Sequence, residues 1–458
     1  MQRRVIVAGA GLGGVVAAMK LAQGGVDVTV LEKHRESELG LDQVDSMDLA
    51  PMNYAGIEIP ERYIKTKIPL SFFSRLPDAQ PLSMSFREES FNLRIDRKDF
   101  IKYLISLARK AGVNFEFGRD ITAPLILGDR VVGVETQFGR VYADLVIDAC
   151  GMNSPVRAQL PDFMLSERTV SKYDYLHAYR IYFKRVPGAP EPERPYAIYL
   201  WYPGSKGFNW VLSDDPEEVD VLLVSFAELE PEFVDETLSQ LRAVNPHIGE
   251  EVTRPGAYHT IPLRQPLSVL VADGYAAVGD SAFMTLPFKG SGMGLCLMSG
   301  TMLAETVLKD KDGFYTAETL WEYQRRFFTE QGSARMTETL GKNILPYISL
   351  EDIDYGFKNG VLTQKDLDAL GTSAGVGSMI SNVDLSSFVG KITGIITNAT
   401  LRKALTGLVR RASKADRIVS ALPEKYDREE VAKWQKRYLE LFEESRNSDD
   451  TSVTVFGS

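Results

Sequence analysis

The chain has 458 residues and a formal net charge of −10. That length is enough for roughly two or three units with large cores, and the negative charge excludes a general attraction to nucleic acid, so no nucleic-acid partner is expected. Two cysteines and four histidines exclude a disulfide framework and lack the paired spacings of a zinc site, so no metal is expected. No apolar run reaches the roughly 18 residues that a membrane-spanning helix needs. The sequence therefore predicts a cytoplasmic protein whose membrane contact, if there is one, is peripheral.

A glycine-rich turn follows the first predicted strand. Residues 4–8 form a short apolar run, which is typical of a strand buried in a parallel sheet. The next residues read GAGLGG, a GxGxxG pattern, and they precede a predicted helix over 15–23 and a second strand over 26–31. Gly9 permits the tight turn, Gly11 lets the backbone approach a pyrophosphate, and Gly14 lets helix and strand pack closely. Glu32 closes the second strand and can accept hydrogen bonds from an adenosine ribose. The residues predicted to contact the cofactor here are Gly9, Gly11, Leu12, Gly13, Gly14, Glu32 and Lys33.

The first motif alone indicates a dinucleotide and does not distinguish NAD from FAD. Two further segments lie between this motif and a second glycine motif downstream. A helix is predicted over 98–112, and Arg97 at its start is either a cofactor contact or a surface arginine. A strand over 143–151 returns the chain to the nucleotide domain, and Cys150 at its end is expected to be a small buried residue rather than a redox thiol.

A second glycine motif decides the cofactor. Residues 275–282 read as a buried strand that runs into Gly279 and Asp280, and a glycine-rich loop then leads into a helix predicted over 295–308. An NAD dehydrogenase does not need this element, whereas a flavin does, because its ribityl chain and ring lie beyond the pyrophosphate. Asp280 can accept a hydrogen bond from a ribityl hydroxyl, and the helix N-terminus can face the ring edge where negative charge develops on reduction. The motif predicts FAD, with contacts from Gly279, Asp280, Pro287, Gly290, Gly292 and Met293.

Together these segments resemble the FAD-binding core shared by aromatic hydroxylases, flavin halogenases and geranylgeranyl reductases. The flavin loop resembles that of archaeal-type geranylgeranyl reductases more narrowly, as do the approach segment and part of the C-terminal region. The residues that carry this resemblance are 279–283, 287, 290–292, 298–300, 261–267, 352–358 and 364–367. The resemblance implies an α/β fold with a Rossmann-like FAD-binding domain, an inserted antiparallel-sheet substrate domain and a helical C-terminal region. The predicted FAD-binding domain comprises 1–60, 90–165 and 265–315, the substrate or cap domain comprises 61–89 and 166–264, and the helical region is 316–458.

Two segments bear on the substrate. In the family, a Pro-Gly-x-Tyr-x-Trp-x-Phe-Pro segment lies over the substrate cavity, and residues 203–212 here read PGSKGFNWVL. On a strand, Phe208, Trp210 and Leu212 share one face, which could line an apolar tunnel or belong to the sheet core. The family often places a cysteine near the flavin after the second strand, but residues 37–48 contain none. Acids of that stretch, including Asp45, could lie near the ring or in solvent. The candidate catalytic residues are therefore Phe208, Trp210 and Asp45.

The rest of the chain supplies a cap and a helical end. Strands are predicted over 175–183, 196–202 and 219–226, and Asp427 starts a late helix with Glu430 three residues on. The basic, partly apolar stretch 392–422 is either an amphipathic membrane surface or a bundle helix with a solvated basic face. The bundle helix is favoured, because Gly394 and Gly407 interrupt the pattern.

The resemblance implies a reductase of carbon–carbon double bonds in geranylgeranyl or other prenyl chains of lipids or quinones. The partners it implies are a prenyl or other apolar small-molecule substrate and an electron donor such as ferredoxin or NADPH. Two alternatives stay open. One is a flavin monooxygenase, which is disfavoured because Cys150-Gly151 replaces the Asp-Gly often found in hydroxylases. The other is a flavoprotein electron carrier or dehydrogenase linked to a quinone pool.

Overall fold

The computed structural model describes residues 3–73, 91–200, 206–287, 290–361 and 397–446, together with the backbone of residues 82–84. Several predicted segments fall outside these ranges and stay predictions. They are residues 201–205 of the aromatic segment, 288–289 of the second glycine loop, 364–367 of the C-terminal pattern, 392–396 of the basic stretch and the tail after residue 446.

The strands of the described residues belong to four sheets. In chain order they are β1 (Arg4–Ala8), β2 (Asp27–Glu32), β3 (Val44–Met47), β4 (Ile64–Thr66), β5 (Leu70–Phe73), β6 (Leu82–Met84), β7 (Phe91–Asp96), β8 (Asn114–Phe117), β9 (Ile121–Leu127), β10 (Arg130–Thr136), β11 (Gly139–Tyr142), β12 (Leu145–Asp148), β13 (Tyr175–Arg185), β14 (Tyr196–Leu200), β15 (Gly207–Leu212), β16 (Glu218–Ser225), β17 (Ile248–Pro262), β18 (Val271–Ala272) and β19 (Tyr275–Ala277).

The helices flank these sheets and form the C-terminal region. In chain order they are α1 (Leu12–Gln23), α2 (Ala50–Ala55), α3 (Arg97–Lys110), α4 (Pro231–Val244), α5 (Met293–Lys309), α6 (Ala317–Phe327), α7 (Ser333–Ile344), α8 (Leu350–Lys358), α9 (Ala399–Ser420) and α10 (Arg428–Arg446).

The nucleotide sheet has the strand order β18-β19-β12-β1-β2-β8. The strands from β19 to β8 are parallel, and β18 pairs antiparallel to β19. Val5, Ile6 and Val7 of β1 are fully buried, as expected for a central strand covered on both faces. Because parallel strands end at the same edge, the carboxyl ends of β1, β2 and β12 meet beside the first glycine turn. This arrangement confirms the strands predicted around GxGxxG.

The cap sheet has the strand order β17-β13-β16-β15-β14-β5-β6. Its pairs are antiparallel except β14 with β5. Alternate residues of a strand lie on opposite faces, so the sheet has two distinct apolar faces. The outer face packs against α4 through residues such as Val221, Leu223 and Leu238. The opposite face, which we call the inner face, carries Leu176, Ala178, Leu222, Val224 and Leu263.

A three-stranded sheet, β3-β7-β4, joins the two large sheets, and β9, β10 and β11 form another small sheet. Strands β5 and β6 belong to the cap sheet, whereas β4 pairs with β7. The predicted domain boundaries stay a prediction. The α3 helix begins where the side chain of Asp96 accepts hydrogen bonds from the backbone N–H groups of Lys98 and Asp99. That cap fixes Arg97 at the first position of the helix.

The described C-terminal residues are helical, as predicted for 316–458. The side chain of Asp427 accepts hydrogen bonds from the backbone N–H groups of Glu429 and Glu430 and so starts α10. The basic stretch forms α9, which packs against α7 and α10 and buries Leu401, Leu408, Ala412 and Ala415. Its apolar side is therefore used inside the protein. Within the ranges that the structure covers, no helix combines the length and the apolar character needed to cross a bilayer.

Candidate functional site

The first glycine loop is packed too tightly for side chains. Gly9 has φ +93°, and its N–H donates to the carbonyl oxygen of Leu31 at 2.8 Å. A Cβ on Gly9 would lie 2.6 Å from the carbonyl oxygen of Ala149, and one on Gly14 would lie 2.6 Å from the Ala149 Cβ. Gly11 caps α1 without a side chain and is exposed. The exposed start of α1 thus offers backbone N–H groups to an anion, which fits a pyrophosphate.

Glu32 lies at the end of β2 beside this loop. Its Oε2 accepts from the N–H of Ala10 at 2.8 Å, and its Oε1 accepts from the N–H of His34 at 2.9 Å. The carboxylate is buried and therefore fixed, and each oxygen retains a lone pair for a ribose hydroxyl. Lys33 is exposed next to it. The two positions fit an adenosine end of the cofactor.

Helices α1 and α5 cross closely enough to bring the two glycine loops together. A Cβ on Gly300 of α5 would lie 2.3 Å from the carbonyl oxygen of Gly13. In the same way, a Cβ on Gly13 of α1 would lie 3.1 Å from the carbonyl oxygen of Cys296. The sulfur of Cys296 would lie 3.0 Å from a Cβ on Gly279, so this side chain separates the two loops. Burial raises the pKa of the Cys296 thiol. It is a packing residue between the loops.

The second glycine motif forms a short turn rather than a longer strand. β19 ends at Ala277, and residues 279–282 form one turn of 3-10 helix, with Gly279 at φ +61°. The side chain of Asp280 accepts from Oγ1 of Thr285 at 3.4 Å, and a Cβ on Gly292 would lie 3.1 Å from Oδ1 of Asp280. Burial raises the pKa of Asp280, and the charge of Arg97 opposes that rise. Asp280 therefore faces the loop that enters α5 and lies within electrostatic reach of Arg97.

That loop also contacts the cap sheet. A Cβ on Gly290 would lie 3.7 Å from Cγ2 of Ile261, which packs on the inner face. Pro287 is buried, and Gly292 and Met293 form the start of α5. The inner face of the cap is thus in contact with the second glycine loop.

Arg157, which we did not predict, anchors the second motif. Its Nη1 donates to the carbonyl oxygen of Ser281 at 2.5 Å, and its Nη2 donates to that of Met152. The backbone N–H of Gly151 donates to Oγ of Ser281 at 2.8 Å. The guanidinium group of Arg157 stacks on the ring of Phe283, with Cζ 4.7 Å from the ring centroid. The loop after β12 therefore holds the residue that follows Asp280.

Cys150 lies in this loop and is half-buried, whereas the sequence predicted a buried residue. Its Sγ donates to the carbonyl oxygen of Ala8 at 3.3 Å. Burial and the neighbouring Asp148 raise the pKa of the thiol well above its usual range. A thiol with a raised pKa forms less of the nucleophilic thiolate, which fits a packing role better than a redox role.

Asp45 is not a solvated loop acid. It lies on β3 between two guanidinium groups, 2.6 Å from Arg180 Nη1 and 3.1 Å from Arg97 Nη1. Burial alone would raise the pKa of Asp45, but the charges of Arg180 and Arg97 outweigh it and lower the pKa. Asp45 is therefore a carboxylate, and the geometry favours holding the two arginines over donating a proton. Its candidate catalytic role stays a prediction, as does the cofactor contact of Arg97.

Phe208 and Trp210 lie on the inner face of the cap. Both are half-buried, with ring centroids 6.3 Å apart, and both pack against the cluster of Leu222 and Val224. The predicted alternation is confirmed, since Asn209 and Val211 are buried on the other face. The part of the inner face around these two rings is apolar, and it includes Ile261, which approaches the glycine loop at Gly290, so it suits an apolar substrate.

The polar residues of the inner face were missed. Arg180 on β13 pairs with Asp220 on β16. His259 on β17 has its Nε2 atom 2.6 Å from Nε2 of Gln43, which precedes β3. The signal was present on β13, where Leu176, Ala178, Arg180 and Tyr182 alternate with residues of the outer face. A charged residue in such a series indicates a buried partner, but the partner comes from a distant strand.

Comparisons with known proteins agree with this geometry. Residues 2–326 match a protein-family model described as FAD binding domain. Digeranylgeranylglycerophospholipid reductase 2 of Methanopyrus kandleri is 25% identical over 370 residues, covering 77% of this chain and 89% of that protein. Digeranylgeranylglycerophospholipid reductase of Sulfolobus acidocaldarius is 23% identical over 395 residues, covering 79% and 82%.

Among solved structures, a geranylgeranyl bacteriochlorophyll reductase-like protein of Thermoplasma acidophilum superposes with a TM-score of 0.68 at 18% identity. The match covers 89% of this chain and 99% of that chain. A likeness at this identity concerns the fold. It confirms the predicted fold class, in which an α/β nucleotide-binding domain carries a sheet-based cap and a helical end.

Proposed function

The chain belongs to the FAD-binding domain family and binds FAD, as its two glycine motifs predict, and from that premise we propose that it reduces carbon–carbon double bonds in prenyl chains. The observation that carries the proposal is the position of the inner face. Phe208 and Trp210 belong to the same apolar cluster as Ile261, whose Cγ2 would lie 3.7 Å from a Cβ on Gly290 of the second glycine loop. The relatives named as digeranylgeranylglycerophospholipid reductases support the same activity.

Reduction of an isolated alkene adds a hydride to one carbon and a proton to the other. When bound and reduced, FAD supplies the hydride. The residues of this chain hold the apolar chain against the inner face and keep water away from the reacting carbons. The N-terminus of α5, which begins at Met293, would offer its helix dipole to the negative charge that reduced FAD carries.

The electrons come from an external donor, for which ferredoxin and NADPH are the candidates. A prenyl lipid as the substrate requires access from a membrane surface, and we propose that such contact is peripheral. The exposed side of α9 carries Arg402, Lys403, Arg410 and Arg417, which fit an anionic headgroup region. Leu401, Leu408, Ala412 and Ala415 of α9 are buried in the protein, whereas Val409 is exposed beside Arg410, so this contact would be mainly electrostatic.

We expect the reduced protein to convert a geranylgeranyl lipid without oxygen. The purified protein is reduced anaerobically with dithionite, mixed with a digeranylgeranyl glycerophospholipid, and followed by flavin absorbance and product mass. Reoxidation of the flavin with a gain of about two daltons per reduced bond, the mass of the added hydride and proton, supports the proposal.

Two other results would exclude it. Reoxidation only when oxygen is admitted, with one oxygen atom added to the product, indicates a monooxygenase. Reoxidation by a soluble quinone, with the lipid unchanged, indicates an electron carrier linked to a quinone pool.

Replacing Phe208 by alanine is expected to raise KM for the prenyl lipid about tenfold with little change in kcat, because a loss of about 1.4 kcal/mol of apolar contact changes an affinity by that factor. FAD content should stay unchanged. Phe233→Ala is the matched control, since Phe233 is also half-buried but packs on the outer face. An equal rise in KM in both variants would show that the inner face does not contact the substrate.

A further inference from the structure

A continuous series of ion pairs runs from the cap sheet to the start of α3. Arg180 on β13 binds Asp220 on β16 in a bidentate manner, with Nε 2.9 Å from Oδ1 and Nη2 2.5 Å from Oδ2. Its Nη1 lies 2.6 Å from Oδ1 of Asp45. The other oxygen of Asp45 lies 3.1 Å from Nη1 of Arg97. We call the series Asp220–Arg180–Asp45–Arg97 the ionic chain.

Arg180 has no donor left for a ligand. Its Nη2 also donates to the carbonyl oxygen of Val44 at 2.7 Å, and its Nη1 lies 3.4 Å from Oε1 of Gln43. A guanidinium group has five N–H donors, and these contacts use them all. Its side chain is only 4% exposed. Arg180 therefore holds β3 and Asp45 in place and has no donor with which to bind a substrate.

Arg97 forms the opposite, open end of the ionic chain. Its side chain is 31% exposed, and among the described residues an acceptor is present only at Nη1. Nε and Nη2 are therefore available to a bound group. Asp45, to which Arg97 is bound, lies on β3, and Cγ of Met47 on the same strand would lie 4.0 Å from a Cβ on Gly294 in the first turn of α5. Arg97 is therefore tied to a strand that packs against the start of α5, and its charge opposes the rise in the pKa of Asp280. The orientation of Arg97 depends on Asp45, to which its guanidinium is tied.

The ionic chain also contacts the inner face of the cap. Cζ of Arg180 lies 5.2 Å from the ring centroid of Trp210, within the range of a cation–π contact. The cross-strand register places Arg180 opposite Leu222, and Leu222 opposite Trp210. A ligand that moves the Trp210 ring would therefore act directly on Arg180.

We propose that Arg180 is a positioning residue that couples the inner face of the cap to flavin binding, through Asp45 and Arg97. The side chain of Arg180 lies in the cap, yet its removal frees Asp45 and with it Arg97, the predicted cofactor contact. The part that concerns the substrate rests on the proposed function, whereas the part that concerns FAD does not.

The test measures FAD affinity of the apo-protein by quenching of flavin fluorescence. Arg180→Met and Asp45→Asn are each expected to raise the Kd for FAD about tenfold. The double variant should be no weaker than about the worse of the two single variants, because residues in one network are not additive. Arg180→Lys should recover part of the affinity, since it restores the charge without the bidentate geometry.

Arg185→Met is the matched control. Arg185 lies on the same strand, is also buried and pairs with Glu191, but it has no contact with β3 among the described residues. Its loss should leave the Kd for FAD within about twofold of wild type. Asp45→Asn keeps the size of the side chain and so remains informative if Arg180→Met does not fold. Unchanged FAD affinity in folded Asp45→Asn, or additive losses in the double variant, would overturn the proposal.

The coupling to the inner face has its own measurement. Saturating geranylgeraniol should lower the Kd for FAD of the wild-type protein about fivefold, and this shift should vanish in Asp45→Asn. An unshifted Kd in protein that binds geranylgeraniol would overturn the coupling. Failure to bind geranylgeraniol at all would instead count against the proposed function, while the Kd values of the variants still decide the role of Arg180 in FAD binding.

Discussion

Gly9→Ala is expected to yield protein without flavin, because both the backbone conformation and the lack of space at this position oppose a side chain. The backbone of Gly9 has φ +93°, which costs an L-amino acid about 1–2 kcal/mol. The added Cβ would also lie 2.6 Å from the carbonyl oxygen of Ala149 and 2.9 Å from its carbonyl carbon. Both are main-chain atoms at the end of β12, so no side-chain rotation relieves the clash. The loop must move away from β12, and the N–H groups of α1 move with it.

Two other glycines separate the causes. Gly25 has φ +82° with no atom within 4 Å of a built Cβ, so Gly25→Ala tests the backbone cost alone. Gly11→Ala tests the space alone, since its φ of −64° is ordinary and its Cβ would lie 3.0 Å from the Ala149 oxygen. We expect full flavin content in Gly25→Ala, reduced content in Gly11→Ala and none in Gly9→Ala. The measurement is the ratio of flavin to protein absorbance after purification and after incubation with added FAD.

Normal FAD uptake by Gly9→Ala would contradict the proposed position of the pyrophosphate at this loop. A variant that fails to fold would show a loss of the cooperative thermal transition, which Gly25→Ala should keep. The comparison therefore separates a lost binding loop from a lost fold.

The parts of this fold that could be predicted are those whose signal is local in sequence. Residues 4–32 contain β1, the GxGxxG turn, α1 and β2 in succession. Each element is determined by its own residues: β-branched residues in the first buried strand, glycines where the turn leaves no room for a side chain, and a second apolar strand. The alternation of Phe208 and Trp210 is equally local. The start of α3 was predicted one residue late, because Asp96 rather than Arg97 is the cap.

The parts that could not be predicted depend on contacts between distant residues. Arg180 and Asp45 are 135 positions apart, and Arg157 and Ser281 are 124 apart. A buried arginine shows only that an acceptor exists, and the pairing of β13 with β16 and the position of β3 decide which acceptor it is. The acids of residues 37–48 illustrate the point, since Asp45 joins the ionic chain, whereas Asp48 pairs with Lys67 near the surface.

Asp280→Ala is expected to weaken FAD binding about 10- to 150-fold, the effect of losing about 1.5–3 kcal/mol from one hydrogen bond to a charged group. Asp280→Asn keeps an acceptor oxygen and should lose less. The Kd for FAD is measured on apo-protein by fluorescence quenching. Unchanged affinity in Asp280→Ala would show that this carboxylate does not contact the cofactor.

The same residue should lower the stability of the apo-protein at neutral pH. Burial raises the folded-state pKa of Asp280 above the ordinary aspartate value of 3.8. A carboxyl group with a raised folded-state pKa binds its proton more tightly in the folded chain than in the unfolded chain, so stability falls as pH rises between the two pKa values. The penalty is absent well below pH 3.8 and complete above the folded-state pKa.

Asparagine has no charge to bury, so apo Asp280→Asn should unfold at a higher temperature than apo wild type at pH 7. The difference should shrink as the pH is lowered toward 3.8, where the wild-type carboxyl is protonated in both states. Thermal unfolding of both apo-proteins across this range measures it. A wild-type protein that is as stable as the variant at pH 7 would show that Asp280 is solvated in the apo-protein. We therefore expect Asp280→Asn to be more stable and to bind FAD more weakly. This pattern would show that the buried charge of Asp280 favours cofactor binding while it destabilises the fold.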